Sequence, residues 1–316
     1  MTPAKLGIGA LRIFIMTLLG PLEKWTLGRR RNEMPKACFV VGPPRSGTTL
    51  LYELMITRYR FAFLSNLAHR FYLTPVAATM LGRRGIADWQ GNFESTYGHI
   101  TGWAAPNEGG WIWDRWFHEE NPQISEIPAE TIRGTIMALC RVLDGPFLNK
   151  NVMHSVHLIL LDHLFPGCLF IHLKRDPAEN MRSILRAREN EAGPEVNQDW
   201  WSVKPREWRH YRDAPRALQA ASQVLYVHEN IEADAKLLGP NRSLVVEYAD
   251  VCADSRGALD RIGEFLSGAG MEIRDHSEIP REFHRRSAEG EDPSVEAEIA
   301  DALTRVEADM SEALNR

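Results

Sequence analysis

The sequence predicts an α/β protein, a parallel sheet flanked by helices. Three observations carry that expectation. Apolar runs at 37–41, 168–173 and 243–248 are short and nearly unbroken, like strands buried on both faces. Stretches with helical spacing separate them, the rhythm of strands joined by crossover helices. The first run ends in Gly42-Pro43-Pro44-Arg45-Ser46-Gly47-Thr48-Thr49, and an amphipathic stretch follows. That is the shape of a phosphate-cradling turn between a strand and a helix.

Each element has its own support. Residues 6–19 are largely apolar, but Arg12 interrupts them and Glu23-Lys24 follows, so the segment is too short to span a bilayer. No A-x-A site marks a cleaved leader. The segment reads as a helix packed on the domain. The alternative is a helix lying on a membrane, with Arg29-Arg30-Arg31 near anionic lipid. Residues 1–34 are therefore expected to form an amphipathic helix and linker, and 35–316 a single domain. After the second strand, Asp176 is a good N-cap, Pro177 suits the first helical position, and Glu179 stands three residues beyond the cap. A helix is expected over 177–190. Near the end, Val295, Ile299, Leu303, Val306, Met310 and Leu314 recur at spacings of three and four, an apolar stripe on a helix whose other face is acidic. Two stretches, 59–121 and 192–215, hold most of the tryptophans and are expected to be insertions on the functional edge of the sheet.

Composition narrows the partners. A net charge of −5 argues against a broad basic surface for nucleic acid. Cys38, Cys140, Cys168 and Cys252 are far apart and form no CxxC pair, so they read as reduced thiols rather than a disulfide frame or a zinc site. A cytoplasmic protein is the expectation, with membrane association as the variant, and the oligomeric state is left open.

The loop chemistry is more specific. N–H groups at a helix start, together with the helix dipole, favour an anion. Gly42 and Gly47 permit the tight path, and Ser46, Thr48 and Thr49 add hydroxyls. A triphosphatase loop carries lysine where Thr48 stands, so triphosphate chemistry is disfavoured. Arg45, further forward, suits a monophosphate bearing one more anionic group. Where a triphosphatase ends a second strand in a magnesium-holding aspartate, this chain runs into Lys174-Arg175. An arginine there suits a second phosphate, and Ser183 lies eight residues on, along the new helix.

"GPPRSGTTLL" and "KNVMHSVHLILLDHLFPGCLFIHLKRDPAENMRSIL" resemble the two signature regions of the sulfotransferase superfamily, nearest to the tyrosylprotein and bacterial group. "VVEYADVCADSRGALDRIGEFL" is similar to its late strand–helix segment. The resemblance covers anchors over 37–185 and 245–266. It implies a P-loop NTPase-like domain with substrate-binding insertions, and 3′-phosphoadenosine 5′-phosphosulfate (PAPS) as donor, with no metal. It implies that Arg45, Ser46, Gly47, Thr48 and Thr49 hold the phosphosulfate, that Arg175 and Ser183 hold the 3′-phosphate, and that Lys150 stabilises the leaving group. A looser match lays Arg285 or Arg286 over the 3′-phosphate.

The base departs from the family's pattern. Tyrosylprotein sulfotransferases carry a glutamate about twenty residues after the loop, a feature the resemblance implies, and here that region reads Phe63-Leu64-Ser65-Asn66-Leu67-Ala68-His69. Asn66 cannot take a proton. His69 and Glu108 are the candidates, with Glu94, His99 and His154 behind them. Trp103, Trp111, Trp113 and Trp116 suit either a stacking wall for a sugar or a buried aromatic core. The expected acceptor is a hydroxyl of a carbohydrate or glycolipid, with a tyrosyl or small-molecule hydroxyl as the nearest rival. A P-loop kinase and a catalytically silent nucleotide-binding module are the readings from other classes.

Overall fold

A computed structural model describes residues 3–27, 34–94, 98–118, 121–124, 128–192, 200–284 and 292–314. Its main sheet has four parallel strands: β1 (Ala37–Val41), β2 (Phe147–Lys150), β3 (Leu169–Lys174) and β4 (Ser243–Glu247). Their order is β2-β1-β3-β4, with Val40 in register with Lys150 and Val41 with His172. The chain leaves β1 for β2 on one side and then crosses to β3 on the other. Ligands of open α/β sheets bind in the crevice that such a reversal opens at the strands' carboxyl ends.

Three strands stand where the apolar runs place them, within a residue at their ends. β2 is the one the sequence conceals. Phe147-Leu148-Asn149-Lys150 is four residues long and half polar, so it carries no apolar run. Lys150 closes this strand beside β1.

Helices cover both faces. Those longer than ten residues are α1 (Pro3–Leu27), α2 (Thr48–Arg58), α3 (Ala129–Leu143), α4 (Pro177–Ala192), α5 (Arg216–Leu238), α6 (Ser255–Gly268) and α7 (Pro293–Leu314). The alternation of a strand sends Cys38 and Val40 to one core, with Leu51, Leu54 and Leu259 from α2 and α6. Ala37, Phe39 and Val41 point to the other, with Ile136 and Leu139 from α3 and Val227 from α5. α4 starts as its capping signature requires, with Glu179 N–H donating to Asp176 Oδ1 at 2.9 Å. The stripe of α7 buries Ile299, Ala302 and Val306 against α4 and α5.

α1 packs on a short helix, Pro75–Leu81, and on α3. The Glu23 carboxylate accepts from Val76 N–H at 3.3 Å and Ala77 N–H at 2.7 Å, capping that short helix. Burial pushes the Glu23 pKa up to about 7. No helix among the described residues is long and apolar enough to cross a membrane. The four cysteines are free, and burial pushes the thiols of Cys140 and Cys168 up to about 12.

Candidate active site

The carboxyl ends of the strands open into a cavity of about 1120 Å³. The loop after β1 forms one side of it. Gly47 has φ +98°, and a Cβ there would stand 2.4 Å from a ring carbon of Tyr248, so glycine is required on both counts. Arg45 has φ +65°, in the left-handed region that costs a non-glycine residue about 1–2 kcal/mol. The surroundings hold that conformation. Ser155 Oγ accepts from Gly42 N–H and donates to Gly42 C=O, both at 3.0 Å, and Asn180 Nδ2 donates to Pro44 C=O at 2.7 Å. Ser46 is fully buried and donates to Pro43 C=O at 2.8 Å, so its hydroxyl closes the turn and does not line the cavity. Gly47 has no side chain to cap α2, and the first N–H groups of a helix lack intrahelical acceptors. Thr48 and Thr49 line the cavity beside them.

The second element meets the first directly. Arg45 Nε donates to Ser183 Oγ at 3.3 Å, although the two residues are 138 positions apart. Arg175 Nη1 donates to Arg45 C=O at 3.1 Å, and Arg175 Nε bonds Glu179 at 3.3 Å. The Arg175 guanidinium also lies 4.8 Å from the centre of the Tyr248 ring. Tyr248 thus supports both Gly47 and Arg175. Read from sequence it is only the end of a strand; here it opens the helix Tyr248–Ala253. Tyr248, Ser155 and Asn180 are positioning residues that sequence reasoning missed. The only hint was that all three fall inside the quoted family segments.

Lys150 sits across the cavity, at the end of β2. Its side chain is 4% exposed, and its ammonium is ion-paired with the Glu108 carboxylate, itself 36% exposed. A buried ammonium without a partner would cost several kcal/mol; Glu108 supplies the partner. Asn149 Nδ2 donates to Glu108 C=O at 3.4 Å. The neighbouring Asn107 accepts from Gly109 N–H at 2.7 Å and donates to Asn66 Oδ1 at 2.6 Å. Asn66 Nδ2 in turn donates to Ile100 C=O at 2.8 Å and Gly102 C=O at 2.7 Å. Asn66, in the region where the resemblance expects a glutamate, is a bracket for the loop that delivers Glu108.

His69 lines the same cavity but in another setting. Its ring stacks on Trp111 with centroids 4.4 Å apart, and Arg12 of α1 lies 5.1 Å from that same indole. Burial first, then the charges of Arg12 and His99, holds its pKa below the usual histidine range. His99 is exposed at the cavity wall, whereas Glu94 is exposed and does not line it. His154 is a core group against Phe39 and Trp113, and burial holds its pKa at about 3. The tryptophans divide: Trp113 and Trp116 are buried, Trp103 covers Gly82 and Gly85, and Trp111 lines the cavity. Trp201 reaches the cavity from the later tryptophan-rich stretch, where Gln223 Nε2 donates to its carbonyl at 2.6 Å. Arg285 and Arg286 lie outside the described residues; Phe283 and His284 just before them line the cavity. Among the described residues, no His, Cys, Asp and Glu cluster suits a metal ion.

Comparison with known proteins agrees with this architecture. Residues 37–272 match the model of the sulfotransferase family. Two curated relatives, the omega-hydroxy-beta-dihydromenaquinone-9 sulfotransferases of Mycobacterium bovis and Mycobacterium tuberculosis, are each 21% identical over 286 residues, covering 80% of this chain and 69% of theirs. A solved sulfotransferase from Mycobacterium avium superposes with a TM-score of 0.51 at 16% identity, over 89% of this chain and 74% of that one. This likeness bears on the fold, which is P-loop NTPase-like.

Proposed function

This chain belongs to the sulfotransferase family, and from that premise we propose that it transfers the sulfuryl group of PAPS to a hydroxyl of a lipid-borne acceptor. One observation carries the reading: the uncapped start of α2, the Arg45–Ser183 link and the Lys150–Glu108 pair converge on one cavity. Sites of ~300–1,000 Å³ hold a drug-sized ligand, so this cavity suits a nucleotide together with an acceptor group. Residues 35–316 would form the transferase domain, with 1–34 as an appended helix and linker.

PAPS, when bound, supplies the activated sulfuryl group. The first N–H groups of α2, Thr48 and Thr49 would cradle its 5′ side, with Arg45 beside them, while Arg175 and Ser183 would hold the 3′-phosphate. Ser46 serves that cradle through the turn it closes. Lys150 would carry the negative charge that develops on the departing oxygen. Glu108 would take the proton of the acceptor hydroxyl. Their mutual pairing gives the buried ammonium a partner until substrates arrive. The cavity lining also carries two aromatic pairs, His69–Trp111 and Phe93–Phe283, which suit an apolar or sugar-bearing acceptor. The named substrate of the curated relatives is a hydroxylated menaquinone, which also favours a lipid-borne alcohol. Contact between α1 and a membrane would bring the cavity close to such an acceptor.

Thermal unfolding with added ligand tests the donor. Adenosine 3′,5′-bisphosphate at about a hundred times its dissociation constant should stabilise the fold by about 2.7 kcal/mol, and Arg175→Ala should weaken that effect. Stabilisation by ATP with magnesium, with the bisphosphate inert, would overturn the reading in favour of a kinase. Transfer of labelled sulfate from PAPS tests the acceptor. Label is expected in a lipid extract; label in tyrosyl peptides or water-soluble phenols alone would reject the lipid.

A further inference from the structure

Helix α1 is built with its polarity reversed. The side turned to the body carries Arg12, Glu23 and Thr26 together with Met16; there Arg12 lies over Trp111, the Glu23 carboxylate bonds Val76 and Ala77, and Arg141 donates to the Thr26 carbonyl. The outward side is apolar: Leu11 is 59% exposed, Phe14 60%, Leu18 64% and Trp25 53%, with Ile13 beside them. The four recur at helical spacing and form one stripe. A soluble surface helix shows the opposite arrangement, and a contiguous apolar face of this kind marks an interaction site. The covering partner must also tolerate positive charge. The only carboxylate among the described residues of α1 is the buried Glu23, and Lys24 is exposed. Beside the helix end, a second cavity of about 610 Å³ has an apolar floor of Met80, Ala138 and Val142, with Trp25, Arg83 and Arg141 around it. The sequence then continues through Arg29-Arg30-Arg31, in a chain whose net charge is −5.

We propose that this face docks on an anionic phospholipid bilayer, with α1 lying in the headgroup plane and Arg83 and Arg141 taking lipid phosphates. Apolar side chains on one face with cations at its edge are what an interfacial helix requires, and α1 does not meet the requirement for crossing. The helix is fixed rather than loosely appended, through the Glu23 cap on Val76 and Ala77 and through Arg12 over Trp111. Trp111 lines the active cavity, so docking would set the cavity's aromatic wall beside the bilayer. The docking stands on the geometry of α1 and holds whatever the acceptor is.

Co-sedimentation of the full chain with vesicles tests this, using phosphatidylcholine alone and phosphatidylcholine mixed with phosphatidylglycerol. Binding should be at least about tenfold tighter to the anionic vesicles and should weaken with salt. Phe14→Ser with Leu18→Ser should abolish it, while the thermal midpoint and the stabilisation by adenosine 3′,5′-bisphosphate stay as in the wild type. Arg83→Gln should reduce the preference for anionic vesicles. Absence of binding to either vesicle, or binding indifferent to Phe14 and Leu18, overturns the proposal. A concentration-dependent dimer that the double variant disperses, without vesicle binding, overturns it too and assigns the face to a second copy.

Discussion

The two sides of the cavity are built by different means. On the loop side, the groups facing a ligand are backbone N–H groups, hydroxyls and arginines carried by two short contiguous motifs, locked together by the Arg45–Ser183 bond. Elsewhere in the cavity, Lys150, Glu108, His69, Trp111 and Phe283 come from four separate stretches of chain and are placed by side-chain contacts such as Lys150–Glu108 and His69–Trp111. Phosphate recognition can be encoded locally because the geometry of one strand–turn–helix supplies most of it. A proton acceptor and an acceptor wall have no such local template. Any segment that brings a carboxylate to the right place will do, and here the Asn66–Asn107 bracket does so for Glu108.

Four measurements would break or sharpen that contrast. The largest effect should come from Glu108→Gln, which removes the proposed base and should lower transfer by ~10²–10⁴-fold while leaving stabilisation by the bisphosphate intact. His69→Ala should cost far less; if it costs more, the base belongs to the histidine. Lys150→Ala should lower kcat by ~10²–10³-fold, again with the loop side still binding nucleotide. Loss of nucleotide binding in either variant would mean that the two sides are not separable. Gly47→Ala acts on the loop side alone. With φ at +98° and Tyr248 in the way, it should destabilise the fold by about 1–3 kcal/mol and weaken bisphosphate binding, both readable in a thermal melt.

The smallest expected effect lies on neither side. His172 Nε2 and His228 Nδ1 are 2.7 Å apart within the fold, and burial holds their pKa values at about 2 and about 4. Both are below the ordinary value of about 6.5, so below that pH the unfolded chain binds more protons than the folded one. The pair's own contribution to stability should therefore be constant from neutral pH upward and fall on acidification from about pH 6.5, by about 1.4 kcal/mol per pH unit for each proton taken up, opposed between about pH 4.5 and 7 by Glu23, whose raised pKa makes the folded chain the better proton binder there. Urea midpoints between pH 7.5 and 5 measure it. If activity falls with acid well before the urea midpoint moves, a titrating group of the cavity governs the profile.

Legibility in the sequence followed the same division. β1 and β3 were readable because strands buried on both faces are short apolar runs, β4 because Leu244-Val245-Val246 is apolar although Val245 is half exposed, and α4 because Asp176, Pro177 and Glu179 form a capping pattern within four residues. β2 was not readable, since Asn149 and Lys150 occupy half of it, and both are buried for contacts made far away. Trp113 Nε1 donates to Asn149 Oδ1 at 3.0 Å, and Lys150 pairs with Glu108. Ser46 reads as a ligand-facing hydroxyl, whereas its bond to Pro43 is a feature of the turn. For α1, composition left two readings open, and packing decided which groups face the body: Glu23 is drawn in by two free N–H groups of a neighbouring helix, and Leu11, Phe14 and Leu18 are left outside.

By itself, then, the sequence determined the fold class, the glycine-bracketed turn between β1 and α2, and the capped helix that partners it. These rest on periodicity, capping and backbone geometry, which act over a few residues and leave fixed spacings in the chain. Only the tertiary structure decided that Lys150 meets Glu108, that Asn66 braces the loop carrying Glu108, that Tyr248 carries both Gly47 and Arg175, and that α1 turns its apolar side outward. Those outcomes depend on which side chains the folded chain brings within a few ångströms of one another, and no spacing along the chain encodes that distance.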